Sequence, residues 1–286
     1  MSHKMQEFIL WSNCTNQCDF CWQCKKHDET TILNSGEMVK CLADLDWELD
    51  KINNGDDVLL VGGEILNSYS SIVDSSIQTT FNKCIDMLKK DKIRYLYINT
   101  NLIYKNLKNL DYLLYNIVIN HLDTRLKFTT SYDIFGRFKN YESEKLFLEN
   151  LKYIYKYYPK INIVVNAIIT KQLVNSDFNW DEFQKDYNIK YINFIPYIPV
   201  NDNRSMDVTF KDIIKVLIRE EKKHPGLIKF YINDFDLNQD KILYEYHKDK
   251  GFVECTAKYA ECGHNENFKK VLGDECYICK LKDIFG

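Results

Sequence analysis

The 286-residue sequence has no stretch that approaches the roughly 20 consecutive apolar residues needed to span a bilayer. Its first residues, Met-Ser-His-Lys-Met-Gln-Glu, lack the apolar core of a signal peptide, which predicts a cytoplasmic protein. The formal net charge is only -3, so the chain has no general attraction to nucleic acid or to anionic membranes. No internal repeat, coiled coil or low-complexity segment is evident. These absences favour a globular protein without a membrane partner, and they give no indication of a nucleic-acid partner, although a local basic patch would be compatible with the net charge.

Cysteine, in contrast, is frequent: there are ten, and eight of them fall within 14–24 and 255–279. Such a number would suggest disulfides in a short secreted protein. In a cytoplasmic chain, clusters with short spacings favour metal or iron-sulfur ligation instead. The two isolated cysteines, Cys41 and Cys84, lie in helical patterns and are predicted to be buried as small apolar side chains.

Between the two cysteine groups, short apolar runs alternate with segments of helical periodicity. Near-continuous apolar runs are typical of strands covered on both faces, and the alternation predicts a parallel sheet with right-handed crossovers. Six units are too few for an eight-fold barrel. We therefore predict an α/β fold, an open partial (β/α)6 barrel over residues 1–235, followed by a small cysteine-rich extension over 236–286. The predicted strands are a buried run from Phe8, then 57–61, 93–98, 126–131, 161–169 and 191–198, with 227–232 as a further candidate; the predicted helices are 36–53, 72–91, 107–118, 141–158, 181–187 and 210–223.

The first predicted strand leads directly into a loop that carries Cys14, Cys18 and Cys21. Three thiolates at this spacing can bind three irons of a [4Fe-4S] cube and leave the fourth iron open for chemistry. Zinc is the alternative, since Cys24 could complete a tetrahedral four-thiolate site. Structural zinc sites usually combine two separate Cys-x2-Cys elements rather than one loop, which favours the cluster and leaves Cys24 without an assigned role.

Polar groups follow the second and third predicted strands, at the edge where the ends of parallel strands converge. Gly62-Gly63-Glu64 ends the second strand: two glycines let the backbone approach a ligand closely, and a carboxylate can pair with an ammonium. Asn99, Thr100 and Asn101 end the third strand. Both segments are also compatible with ordinary turns.

The later strands end in the same way. Ser131 and Asp133 end the fourth strand, and Arg137 follows shortly after. An arginine at this edge would suit a carboxylate, because its planar fork can donate two parallel hydrogen bonds. Asp133 could equally cap the next segment. Asn166 lies within the fifth strand and Pro196 near the end of the sixth.

The Cys-x3-Cys-x2-Cys loop, with Phe20 before its last cysteine and Gly-Gly-Glu after the next strand, resembles the radical S-adenosylmethionine (SAM) superfamily. The resemblance implies that Cys14, Cys18 and Cys21 hold the cluster and that SAM chelates the open iron through its amine and carboxylate. It also implies SAM-binding positions, namely Gly62, Gly63 and Glu64 at the amino group, Asn99 and Thr100 near the pocket, Ser131 and Arg137 at the ribose and carboxylate, and Asn166 and Pro196 at the adenosine.

In such enzymes one electron cleaves the sulfonium bond of SAM, and the resulting 5′-deoxyadenosyl radical abstracts hydrogen from a substrate. An electron donor such as flavodoxin or ferredoxin is implied. The first hypothesis for the substrate is a peptide or protein, and the second is a nucleoside or small metabolite. A third hypothesis, of another class, is a non-catalytic binding protein stapled by zinc or a cluster.

The second cysteine group comprises Cys255, Cys262, Cys276 and Cys279, of which the last two form a Cys-x2-Cys pair. Four thiolates can close a tetrahedral site for zinc or hold a second [4Fe-4S] cluster. His264 is a candidate substitute ligand if one cysteine is not used, although a surface histidine after glycine is the favoured interpretation. The segment resembles the SPASM/twitch extensions of radical SAM enzymes but lacks most of their downstream cysteines, so we favour one auxiliary cluster, with zinc as the alternative.

Overall fold

A computed structural model describes residues 4–11, 14, 18, 33–133, 136–138, 140–196, 216, 219, 220 and 223. Strands alternate with helices throughout the described part of the chain. The strands are β1 (Met5–Ile9), β2 (Asp56–Val61), β3 (Ile93–Asn99), β4 (Leu126–Tyr132), β5 (Asn162–Ile169) and β6 (Tyr191–Pro196). The helices are α1 (Ser35–Asp50), α2 (Ser71–Lys89), α3 (Lys108–Ile119), α4 (Tyr141–Tyr157), α5 (Lys171–Val174) and α6 (Trp180–Asp186), with a 3-10 turn at Asp123–Arg125.

These strands form one open sheet whose order follows the chain from β1 to β6. The pairs β1–β2, β2–β3 and β3–β4 are parallel. Consecutive parallel neighbours joined by helices are the arrangement that the alternating sequence pattern predicts. The α/β prediction is therefore confirmed, and β2 to β6 coincide with the predicted strands apart from shifts of a residue or two at their ends.

The prediction for the first strand is wrong in its position and its burial. β1 begins at Met5, before the apolar run, and ends at Ile9. Met5 and Ile9 are exposed, and the strand alternates between exposed and half-buried residues. The physical reason is its place at the edge of the described sheet, where β2 is its one partner among the described strands.

Helix α1 shows how local sequence sets the boundaries. Asn34 forms a capping box with Glu37: the Asn34 side chain accepts from the Glu37 backbone N–H at 3.1 Å, and the Glu37 carboxylate accepts from the Asn34 N–H at 2.8 Å. The helix ends at Asp50, earlier than predicted. Gly55, with φ of 89°, instead turns the chain into β2.

Alternation along the strands gives the sheet two different faces. Leu60, Ile98 and Phe128 lie on a fully buried face. Their neighbours on the other face, including Tyr97 and Lys127, are half-buried and form a cross-strand pair in the β3–β4 register. The second face therefore stays partly accessible along β3 and β4.

Contacts divide the chain into two compact units, the first comprising Met1–Ser131, Arg137–Val165 and Gln184–Lys190. The second comprises Tyr132–Gly136, Asn166–Phe183 and Tyr191–Gly286. Its described residues include an aromatic core. The Tyr132 ring stacks on Phe183 with centroids 4.5 Å apart, and Trp180 packs edge-on against Phe194 at 5.5 Å.

Several sequence predictions fall wholly or partly outside the described residues. Val216, Arg219, Glu220 and Lys223 are helical, in agreement with the predicted helix 210–223. The end of the sixth predicted strand, the candidate strand 227–232 and the boundary at 235 are not described. None of the helices in the described ranges is long and apolar enough to cross a membrane.

The two isolated cysteines differ in burial. Cys84 is fully buried in α2, as predicted. Cys41 in α1 is only half-buried, and its thiol donates to the Leu10 carbonyl at 2.8 Å, so it behaves as a polar group as well as an apolar one.

Candidate active site

The end of β2 packs directly against the backbone that leads from β1 to the cysteine loop. The Leu10 N–H donates to the Val61 carbonyl at 2.8 Å, and the Gly63 N–H donates to the Trp11 carbonyl. Gly62 has φ of 123°, and a Cβ there would lie 2.6 Å from the Trp11 carbonyl oxygen. A glycine is therefore required at this crossing, which directs the chain from β1 toward Cys14.

Glu64, directly after the two glycines, is fully buried. Its carboxylate accepts from the Leu66 N–H at 3.1 Å, and both of its oxygens lie 2.9 Å from the Thr100 hydroxyl. It also accepts from the Asn101 N–H. Burial raises the pKa of Glu64 to about 7, although these hydrogen bonds and the Arg137 charge act in the opposite direction. Glu64 thus ties the end of β2 to the segment that follows β3.

Asn101, two residues after the end of β3, contacts both the segment that follows β2 and the cysteine loop that follows β1. Its side-chain oxygen accepts from the Ile103 N–H at 2.7 Å, which closes an Asx turn, and its amide nitrogen lies 3.2 Å from the Cys14 sulfur. The chain turns sharply at the next residue, Leu102, which has φ of 55°. Asn150 of α4 holds this turn by donating to the Leu102 carbonyl at 2.9 Å.

Arg137 approaches the same segment from beyond β4. One guanidinium nitrogen donates to the Asn101 carbonyl at 2.8 Å and to the Thr130 hydroxyl at 3.2 Å. The guanidinium is buried and lies 5.2 Å from the centre of the Phe147 ring. Contacts with these neighbours fix its position, and its positive charge lowers the pKa of Glu64, against the larger effect of burial.

The two described cysteines of the loop, Cys14 and Cys18, are both half-buried. Cys21 and Cys24 lie outside the described residues. The described donors suit an iron-sulfur cluster, because Cys14 offers a thiol whose sulfur faces an amide N–H, as cluster sulfurs commonly do. Within the described residues, no three His, Cys, Asp or Glu side chains form a metal site.

The remaining predicted SAM-binding residues are distributed over the strand ends. Asn99 ends β3 and Ser131 lies near the end of β4; both are half-buried on the accessible face. In the second unit, Asn166 accepts from the Asn193 side chain at 3.3 Å. Pro196 is the last residue of β6. Their contacts with SAM stay predictions.

The structure therefore brings together Cys14, Gly62, Gly63, Glu64, Thr100 and Arg137. The sequence identified all six, but it named Asn101, which links three of them, only as part of the segment at the end of the third strand and not as a site residue. The Asn-Thr-Asn segment at the end of a predicted strand was the only available signal. The sequence also gave no indication of Asn150, because its supporting contacts depend on how α4 packs. All cysteines of the second group, and His264, lie outside the described residues.

No protein-family model and no curated protein matches this sequence. Solved structures with a similar fold include anSMEcpe with bound AdoMet and the Cp18Cys peptide, at 17% identity and a TM-score of 0.53, covering 82% of this chain and 61% of that chain. Another is Streptococcus suis SuiB bound to its precursor peptide SuiA, at 16% identity and a TM-score of 0.53, covering 79% and 46%.

At these identities the likeness concerns the fold alone, and this chain shares an α/β partial-barrel fold with those structures. The chain spans about three fifths of the length of anSMEcpe and less than half of the length of SuiB.

Proposed function

We propose that this chain is a radical SAM enzyme. The observation that carries the proposal is the contact between Asn101 and Cys14, with a Glu64 hydrogen bond to the same asparagine. It joins the cysteine loop after β1, the Gly-Gly-Glu segment after β2 and the Thr-Asn segment after β3. The resemblance to the radical SAM superfamily assigned these three segments to one reaction centre. The fold that the chain shares with the similar structures supports the same proposal independently.

Cys14, Cys18 and Cys21 would hold a [4Fe-4S] cluster, which supplies one electron for reductive cleavage of bound SAM to a 5′-deoxyadenosyl radical. The chain's own residues bind and orient SAM. Arg137 is fixed by Asn101 and Thr130, and we assign it to the SAM carboxylate.

The roles of the other SAM-binding residues belong to the same proposal. Gly62, Gly63 and Glu64 serve the amino group, although the Glu64 carboxylate is directed to Thr100 and Asn101 here. Backbone groups of this segment are then the better candidates for contact with the ammonium. Asn99, Thr100, Ser131, Asn166 and Pro196 are assigned to the remainder of the SAM pocket.

For the substrate, we propose a peptide or protein. Support comes from the similar structures that contain peptides, Cp18Cys with anSMEcpe and SuiA with SuiB. A nucleoside or small metabolite is the alternative. We further propose that Cys255, Cys262, Cys276 and Cys279 hold a second [4Fe-4S] cluster or zinc, that flavodoxin or ferredoxin donates the electron, and that the protein is cytoplasmic.

The decisive experiment is anaerobic reconstitution with iron and sulfide, followed by addition of dithionite and SAM. We expect release of 5′-deoxyadenosine and methionine, and loss of both products in Cys18→Ser. Cys41→Ser is the matched control, because Cys41 lies outside both cysteine groups and serine keeps a donor for the Leu10 carbonyl. Wild-type protein that binds zinc and releases no 5′-deoxyadenosine would instead favour the non-catalytic binding protein.

The substrate class requires a separate test. We expect co-expression with short peptides encoded beside the gene to change the mass of one of them, and Cys18→Ser to abolish the change. Unchanged peptides, together with consumption of a nucleoside or small metabolite by the same active preparation, would favour the alternative substrate.

A further inference from the structure

We infer that Asn101 is a positioning residue that raises the reduction potential of the SAM-cleaving cluster by donating a side-chain N–H to the sulfur of Cys14. The inference rests on the proposed function, because it requires Cys14 to be a cluster ligand. The two atoms lie 3.2 Å apart, within hydrogen-bonding distance for a sulfur acceptor.

The orientation of the Asn101 amide is fixed by its other end. An asparagine side chain has one acceptor oxygen and one donor nitrogen. The oxygen accepts from the Ile103 N–H at 2.7 Å, so the nitrogen must face Cys14. Rotating the amide would place oxygen against the sulfur and two N–H donors against each other. The group that faces the sulfur is therefore a donor.

The backbone of Asn101 is held from two sides. Its N–H donates to Glu64, and its carbonyl accepts from Arg137 at 2.8 Å. Asn101 is itself buried, with 8% of its surface exposed. The backbone N–H, the backbone carbonyl and the side-chain nitrogen thus have partners on three other segments, while the side-chain oxygen is held by Ile103 in its own turn, and these contacts orient the N–H that faces Cys14.

A donor at a cluster sulfur stabilises the more negative, reduced state relative to the oxidised state. The reductant supplies one electron, and Asn101 exchanges neither an electron nor a bond. Its N–H remains covalently intact and contributes only an electrostatic interaction. Because hydrogen bonds to charged groups are stronger than neutral ones, removal of this donor should disfavour reduction measurably.

The test is a redox titration of the reconstituted full-length chain, monitored by electron paramagnetic resonance without SAM. Asn101→Ala removes the donor, and we expect the equilibrium constant for reduction to fall about tenfold, which is about 59 mV for a one-electron couple. Asn101→Asp keeps the acceptor for the Ile103 N–H but places a carboxylate oxygen opposite the sulfur. It should lower the potential further. The matched control is Asn116→Ala in α3, where the side chain donates to the Tyr112 carbonyl of its own helix.

A second measurement addresses the hydrogen bond itself. Electron–nuclear double resonance of the reduced wild-type cluster should show an exchangeable proton that disappears in Asn101→Ala and persists in Asn116→Ala. Identical potentials and identical proton signals in the wild type and in both Asn101 variants, at equal iron content, would overturn this inference alone. A wild-type chain that binds no iron and sulfide would overturn the proposed function, and this inference with it.

Discussion

The carboxylate of Glu64 lies with both of its oxygens 2.9 Å from the hydroxyl of Thr100, in the fully buried contact between the ends of β2 and β3. A carboxylate at this depth is costly to ionise, because burial removes it from water while only neutral donors and the nearby Arg137 stabilise its charge. The contact therefore makes both the stability and the geometry of the site sensitive to Glu64.

This burial predicts a pH-dependent stability. The pKa of Glu64 is raised from 4.5 to about 7, so the folded chain binds a proton that the unfolded chain has lost in this interval. The contribution of protonated Glu64 to the free energy of unfolding is complete below pH 4.5 and is lost as the pH rises from there through about 7. A shift of this size corresponds to about 3 kcal/mol.

We expect Glu64→Gln, which stays neutral, to lose less stability than the wild type between pH 5 and pH 8. Urea unfolding of the chain without added iron or SAM measures this difference. The exposed Glu142→Gln in the first turn of α4 is the control, and its pH dependence should follow the wild type. Parallel curves for wild type and Glu64→Gln would contradict the predicted proton uptake.

The crossing at Gly62 predicts a large cost for a single added methyl group. In Gly62→Ala, the Cβ would lie 2.6 Å from the Trp11 carbonyl oxygen at a φ of 123°. We expect a loss of about 2–4 kcal/mol in the free energy of unfolding, from backbone strain together with displacement of the β1 end.

Gly36→Ala is the matched control for that substitution. Gly36 lies in the first turn of α1, where its φ is ordinary and the nearest contact is the Asn34 side chain at 3.3 Å. We expect a change of less than about 1 kcal/mol there. Urea unfolding measures both variants, and equal stability of the two would contradict the close packing of β1 and β2.

The sequence predicted the order of strands and the edge at which functional groups gather, because both follow from hydrophobic periodicity and the geometry of parallel sheets. It did not predict where the side chains at that edge point. The Glu64 carboxylate was expected to face a ligand, whereas it faces Thr100 and Asn101. That direction depends on the turn at Leu102, whose positive φ is unusual for leucine and is imposed by surrounding contacts.

The predicted position of β1 was wrong, and the reason is related. An apolar run predicts burial, but at the edge of a sheet pairing can extend into flanking polar residues while apolar ones stay exposed. Gln6 shows this, since its side chain donates to Asp56 at 3.0 Å and helps place Met5 within the strand. Such a contact between distant residues has no local signature.

Arg137 provides a prediction about SAM binding. Arg137→Lys keeps the charge but loses the planar guanidinium, one nitrogen of which donates to the Asn101 carbonyl and the Thr130 hydroxyl while the others stay available for a carboxylate. If Arg137 also binds the SAM carboxylate, the KM for SAM should rise about tenfold in the 5′-deoxyadenosine assay. Arg94→Lys is the matched control, since Arg94 pairs with Asp57 at the opposite end of β3. An unchanged KM in Arg137→Lys would remove Arg137 from the SAM pocket.

Cys276→Ala separates the two cysteine groups. If the second group holds its own [4Fe-4S] cluster, the variant should lose about four irons per chain while SAM cleavage without substrate is largely retained, because Cys14, Cys18 and Cys21 are unchanged. If the second group holds zinc, the variant should lose zinc and keep its iron. Metal analysis and the 5′-deoxyadenosine assay on the same preparations distinguish these results. Loss of SAM cleavage to the level of Cys18→Ser would instead mean that the second group is required to assemble the first. The prediction that the two cysteine groups act independently would then be wrong.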